Sequence, residues 1–166
     1  EKAGGIEKLK AEAKRVSDKL RKQMKTEEAH RVTVMADELT EEWGELSMYA
    51  GMDAFLSYFF DERVGLLDYF KPSDSLIFFD ELTRCAEQGK LTETEFSESM
   101  KQRLAMGYIL PGQMNGLFTE KEIVAKLEKY SCIALGALDN KANGLHQLGS
   151  YGIHCQSDSP YNNSFE

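Results

Sequence analysis

Cysteine is scarce in this chain, tryptophan occurs once, and no long apolar run is present. The three cysteines, Cys85, Cys132 and Cys155, are odd in number, scattered, and never spaced as C-x-x-C. A disulfide framework or a cysteine-based zinc site is thereby disfavoured, and the thiols read as reduced and cytosolic. No stretch approaches the ~20 apolar residues that a membrane-crossing helix needs, and no signal-peptide pattern opens the chain. There is no repeat and no low-complexity tract. Positive charge is also in deficit: the net charge is −8 over 166 residues. Residues 1–31 carry +4, so the remainder carries −12. An acidic body of that kind argues against an extended nucleic-acid face, which needs clustered cations. The basic N-terminal stretch reads as the solvated face of a helix, with a phosphate contact as the alternative.

What remains is ordinary material for one domain with a real core, or a small domain plus an appendage. From Ile6 the apolar positions Leu9, Ala13, Val16 and Leu20 recur at three and four, the stripe of an amphipathic helix. The stripe slips at "KQMKTEE", where Thr26 is a candidate cap, and resumes through Val32, Met35, Leu39, Trp43 and Leu46. Two long helices, or one with a phase slip, are expected over residues 5–49. They pack on the same molecule, since two imperfect runs are short for a coiled-coil dimer.

Beyond Gly51 the pattern changes. "AFLSYFF" is β-prone, and "VGLLDYFKPSD" reads as a short helix closed by Pro72. "SLIFF" is a continuous apolar run, the mark of a buried parallel strand. A polar helix is expected over Thr92–Met106 with Phe96, Met100 and Leu104 on one face, and "ILPGQMNG" is loop by composition. Thr119 to Glu122 forms a capping box that starts a helix running to Tyr130. "CIALGAL" is a second strand and "YGIHC" a possible third. Strands alternating with helices predict an α/β layer with a mostly parallel sheet.

The chemistry-bearing candidates are few. Asp80 and Glu81 follow the apolar run directly, as a magnesium-binding aspartate and a catalytic glutamate do at a strand end in nucleotide-driven motors. Such a pair works on a triphosphate cradled by G-x-x-x-x-G-K-[ST], and no such loop exists here; "GLHQLGS" lacks the lysine. His30 lies on a polar helix, while His146 and His154 lie in turn-rich sequence. His154 and Cys155 are neighbours whose side chains would point to opposite faces of a strand. Asp53, Asp61, Glu62 and Asp68 match no calcium loop and read as loop and helix-end charges. The aromatics from Phe55 to Phe79 read as packing residues, because few cations interleave with them.

Taken in order, "YAGMDAFLSYFF", "GLLDYFKPSDSLIFFDE", "RLAMGYILPGQMN", "CIALGAL" and "YNNSFE" resemble the N-terminal part of the bacterial transcription-repair coupling factors. That part is itself similar to UvrB, the helicase-like component of the UvrABC excision-repair system. In UvrB the Asp-Glu pair is followed by Ser-His, and a later strand ends in Ser-Ala-Thr. Here Leu82-Thr83 follows Glu81, and the later strand carries Leu135-Gly136-Ala137-Leu138. Both departures point to the coupling factors, whose module keeps the fold without the ATPase.

The resemblance implies a degenerate RecA-like, P-loop-NTPase-like three-layer α/β domain, preceded by long α-helices. Its later half would span residues 51–166, with a helical linker at 1–50. Asp80 and Glu81 would be an inactive Walker-B-like pair, with no catalytic, cofactor or metal site in this segment. The whole protein would be a bacterial cytoplasmic ATP- and magnesium-dependent DNA translocase that releases stalled RNA polymerase and recruits UvrA. Its motor would lie outside these residues, and the rest of the polypeptide would pack on them. The chain therefore reads as a piece of a longer protein with an open sheet edge. The alternatives are a helicase-like excision-repair protein of the UvrB kind and a helical dimerisation module.

Overall fold

The apolar stripe at three-and-four spacing does build two helices. The computed structural model of the chain describes residues 4–43, 52–136 and 144–154. Helix α1 spans Gly5–Lys22 and α2 spans Thr26–Trp43, and the two form a tightly packed hairpin. Leu9, Ala13 and Leu20 of α1 meet Ala29, Val32, Ala36 and Leu39 of α2, all buried. Ser17 is the one buried polar residue of this seam. Its hydroxyl donates to the Ala29 carbonyl at 3.1 Å and lies 3.2 Å from the Thr33 hydroxyl, so nothing polar is left unsatisfied there. Residues 44–49, including Leu46 of the second stripe, lie outside the described residues.

The phase slip has a physical form. Met24 takes a left-handed backbone, φ 65°, and the Lys25 N–H closes back onto the Leu20 carbonyl at 3.0 Å. That is a position glycine commonly fills at helix endings, and a side chain there costs about 1–2 kcal/mol. The Met24 side chain is 89% exposed and has no packing to lose. Met24→Gly is therefore expected to raise the unfolding free energy by about 0.5–1 kcal/mol, read from the shift of the urea midpoint.

"AFLSYFF" is helical, contrary to its β-prone composition. A 3-10 turn at Met52–Phe55 runs into the short helix α3, Leu56–Phe59. Phe55, Tyr58 and Phe59 are spaced by three and four, and burying all three on one side against α1 selects the helical period over the extended one. The glycine and proline segments also differ from expectation. "VGLLDYFKPSD" forms two separate 3-10 turns, Leu66–Tyr69 and Pro72–Asp74, and Pro72 opens the second rather than closing the first. "ILPGQMNG" contains a 3-10 turn at Pro111–Asn115.

Strand β1, Leu76–Asp80, and strand β2, Ser131–Leu135, pair in parallel, with Leu76 opposite Ser131 and Asp80 opposite Leu135. Between them run helix α4, Leu82–Ala105, and helix α5, Glu120–Leu127. Helix α4 starts ten residues before the expected Thr92, and Phe96, Met100 and Leu104 are half-buried along it. The capping box forms as expected: the Thr119 hydroxyl accepts from the Glu122 N–H, and the Glu122 carboxylate accepts from the Thr119 N–H at 2.8 Å. The fold is thus mixed α/β, predominantly helical, with a two-stranded parallel sheet among the described residues.

The strand at "SLIFF" is present but not buried. Leu76 and Phe78 remain 51% and 61% exposed, and on β2 Ile133, the register partner of Phe78, and Leu135, opposite Asp80, are exposed beside them. One apolar face of the sheet is therefore bare, and α4 packs along β1. The possible third strand at "YGIHC" is not found among the described residues: residues 151–154 join no sheet there, and Cys155 lies outside them.

Candidate functional site

The carboxylate pair sits where the chain leaves the sheet for a helix. Asp80 is the last residue of β1 and is exposed; Glu81 caps the N-terminus of α4. Glu81 holds a left-handed backbone, φ 55° and ψ 61°, at a cost of about 1–2 kcal/mol for a residue with a side chain. Three bonds fix that turn. The Glu81 N–H extends the ladder to the Leu135 carbonyl at 2.8 Å, its carbonyl accepts from the Cys85 N–H at 3.0 Å, and the Cys85 thiol donates to the Asp80 carbonyl at 3.4 Å. The local sequence dictates this geometry: an apolar strand runs out at Asp80, and the next residue must reverse direction to start α4.

Among the described residues no group of three His, Cys, Asp or Glu side chains is placed to hold a metal ion. "GLHQLGS" runs through residues 144–150 without helix or strand, and its Leu148 is 94% exposed. His30 on α2 and His146 and His154 in residues 144–154 are all exposed. Cys85 and Cys132 are exposed free thiols, and partial burial pushes the Cys132 thiol up. Asp53, in the 3-10 turn at Met52–Phe55, and Asp61 and Glu62, in the loop after α3, are exposed.

Two polar clusters that the sequence did not disclose hold the molecule together instead. In the first, Tyr58 donates its hydroxyl to the Glu12 carboxylate, and the Gly112 N–H donates to the Tyr58 oxygen at 3.1 Å and to the carboxylate at 3.3 Å. Burial, reinforced by the neighbouring carboxylate, drives the Tyr58 phenol far above its ordinary range. The trio joins α1, α3 and the turn at Pro111–Asn115.

In the second, Arg63 donates to the carbonyls of Asn115 at 2.8 Å and Leu117 at 2.7 Å and pairs with Glu122. Its guanidinium lies 4.6 Å from the Phe118 ring centre, and the Lys126 ammonium lies at the same distance from that ring. Lys126 pairs with Asp68, whose carboxylate also accepts from the Gly65 N–H at 2.7 Å. Asp68 is thus a clamp residue, more than a loop charge. The Tyr130 hydroxyl completes the joint, sharing its single proton between the carbonyls of Leu67 at 2.6 Å and Phe70 at 3.0 Å. The capping-box pattern located Glu122, but no local signal could place Arg63 beside it from 59 residues away.

Both clamp carboxylates are held below their ordinary range. For Asp68 the main cause is the Gly65 N–H, followed by Lys126; for Glu122 it is the Thr119 N–H and hydroxyl, followed by Arg63. A carboxylate with a depressed folded-state pKa contributes stability above its unfolded value, and loses it as pH falls through the folded value. Unfolding midpoints are therefore expected to be flat near neutral pH and to fall through and below the ordinary carboxylate range. Glu122→Gln should flatten that acid limb, as measured by urea titrations across the acid range.

No family model, no curated protein and no solved structure matches this chain.

Proposed function

We propose that this chain is a non-catalytic scaffold segment of a bacterial transcription-repair coupling factor, the later half of a degenerate RecA-like domain with its preceding helices. The observation that carries the reading is the pairing of two features at one sheet. Asp80 and Glu81 stand at the end of β1 in motor-like position, next to eroded following residues Leu82 and Thr83, with no phosphate-binding loop in the sequence. The sheet they terminate is parallel, yet bares Leu76, Phe78, Ile133 and Leu135. Parallel sheets in α/β proteins are covered on both faces. In this reading the remainder of the same polypeptide supplies the cover, and the motor that uses ATP and magnesium lies there too. RNA polymerase, UvrA and DNA would be engaged by the whole protein. The apolar stripes of α1 and α2 pack on each other and on α3, which favours this reading over a helical dimer.

The experiment is direct. The purified chain is expected to show no ATP turnover with magnesium and no shift in its melting temperature on adding nucleotide. ATP hydrolysis that disappears on Asp80→Ala would overturn the reading in favour of a helicase-like excision-repair protein.

A further inference from the structure

We infer that the Asn115–Gly116 peptide is a site of self-modification, where the Asn115 side chain closes onto the Gly116 nitrogen and reopens as aspartate or isoaspartate. Three observations meet at this peptide. Asn115 ends the turn at Pro111–Asn115, is exposed, and its side-chain amide makes no hydrogen bond among the described residues. The Gly116 N–H turns back toward the Gln113 carbonyl at the end of the 3-10 turn without a well-aligned hydrogen bond, and no β-carbon crowds its approach. The carbonyl of the same peptide group, that of Asn115, accepts from the Arg63 guanidinium at 2.8 Å.

The Arg63 contact supplies the chemistry. Ring closure requires the Gly116 nitrogen as its deprotonated amide. A cationic donor on the amide oxygen draws electron density from the group and stabilises that anion. Arg63 cannot swing away easily, because it also donates to the Leu117 carbonyl, pairs with Glu122 and rests on Phe118.

In the step, the Gly116 nitrogen gives its proton to solvent and bonds to Cγ of Asn115. The Cγ–Nδ2 bond breaks and ammonia leaves with a proton from solvent. Water then adds to either carbonyl of the succinimide. Cleavage of the N–Cγ bond yields aspartate; cleavage of the bond to the main-chain carbonyl yields isoaspartate, with the backbone rerouted through the side chain. No oxidant or reductant is involved, and water is the only co-reactant. Either product sets a new carboxylate in the stretch that Arg63 clamps.

The test holds the protein folded near neutral pH at physiological temperature in water enriched in heavy oxygen, and follows the peptide containing residue 115 by mass spectrometry. Heavy oxygen should enter residue 115, with isoaspartate among the products, faster in the folded chain than in the same chain unfolded in urea. Each unit by which Arg63 acidifies the Gly116 N–H raises the population of the anion about tenfold and the rate by less, because a more stable anion is a weaker nucleophile. Arg63→Gln should return the folded rate to that of the unfolded chain. Gly116→Ala should suppress conversion with an unchanged circular dichroism spectrum, because φ −72° suits alanine and its added carbon would stand 3.6 Å from the Gln113 carbonyl. The Asn143–Gly144 pair serves as an internal reference whose rate neither substitution should alter. An Asn115 amide that survives in the folded chain while it converts in urea overturns the proposal, and so does a folded rate indifferent to Arg63→Gln.

Discussion

Gly107→Ala is expected to lower the unfolding free energy by about 2–5 kcal/mol, the joint cost of a left-handed alanine and of forced repacking. Gly107 has φ +71°, and a β-carbon there would stand 2.3 Å from the Glu28 carbonyl oxygen, a contact no rotamer can relieve because backbone meets backbone. The residue lies just past the end of α4, where that helix docks on the α1–α2 hairpin. Lys25 and Arg31 donate to the last carbonyls of α4, those of Ala105 and Met106, at 3.4 and 3.0 Å. Cations at a helix C-terminus are favoured by its dipole. Arg31 also rests 4.7 Å from the centre of the Tyr108 ring. A methyl at residue 107 would push all of these contacts apart. The control is Gly89→Ala, within α4, where an added carbon meets nothing within 4 Å. That substitution is expected to stabilise by about 0.5–1 kcal/mol, because alanine is the better helix former. Urea unfolding followed by circular dichroism should give the two opposite signs; a common sign would contradict the docking geometry.

Leu110→Ala should cost about 2–5 kcal/mol, as truncation of a fully buried leucine does when the cavity cannot collapse. Leu110 has 0% exposure and belongs to the same core as Leu9, Leu39, Phe55 and Phe59. Its own N–H is satisfied by the Gln113 side chain at 2.8 Å, so the loss is one of packing. The residue comes from the second part of the sequence, yet it completes a core built mainly by the first. Hydrogen exchange should therefore accelerate in α1 and α2 as well as around residues 109–113. Faster exchange confined to the latter would mean that the hairpin is an independent unit.

Much of the fold was legible because its signals are local. The three-and-four spacing of Leu9, Ala13, Leu20 and Val32 marks one side of each helix, and burial follows that side. Thr119 and Glu122 lie within reach of each other on any helix that begins between them, so the capping box could be read directly. The two strands were legible as apolar runs, and so was the absence of a phosphate loop behind Asp80 and Glu81. "AFLSYFF" was misread because its composition is β-prone while its burial partners, α1 and Leu110, are supplied from far away in sequence. The apolar run at Leu76–Phe79 read as buried because composition cannot tell whether a covering layer is present.

By itself the sequence determined that α1 and α2 are helical by spacing, where α5 begins, and that these 166 residues hold no G-x-x-x-x-G-K-[ST] pattern to serve Asp80 and Glu81. Tertiary structure alone decided that α1 and α2 fold back onto α3, that Arg63 meets Glu122 and Asn115, that Glu12 meets Tyr58, and that one face of the sheet stays bare. The division has a physical reason. Helical spacing, caps and turn residues act over a few residues of one chain segment. The clamps depend on side chains tens of residues apart, whose meeting follows only once the core has set the distances between elements.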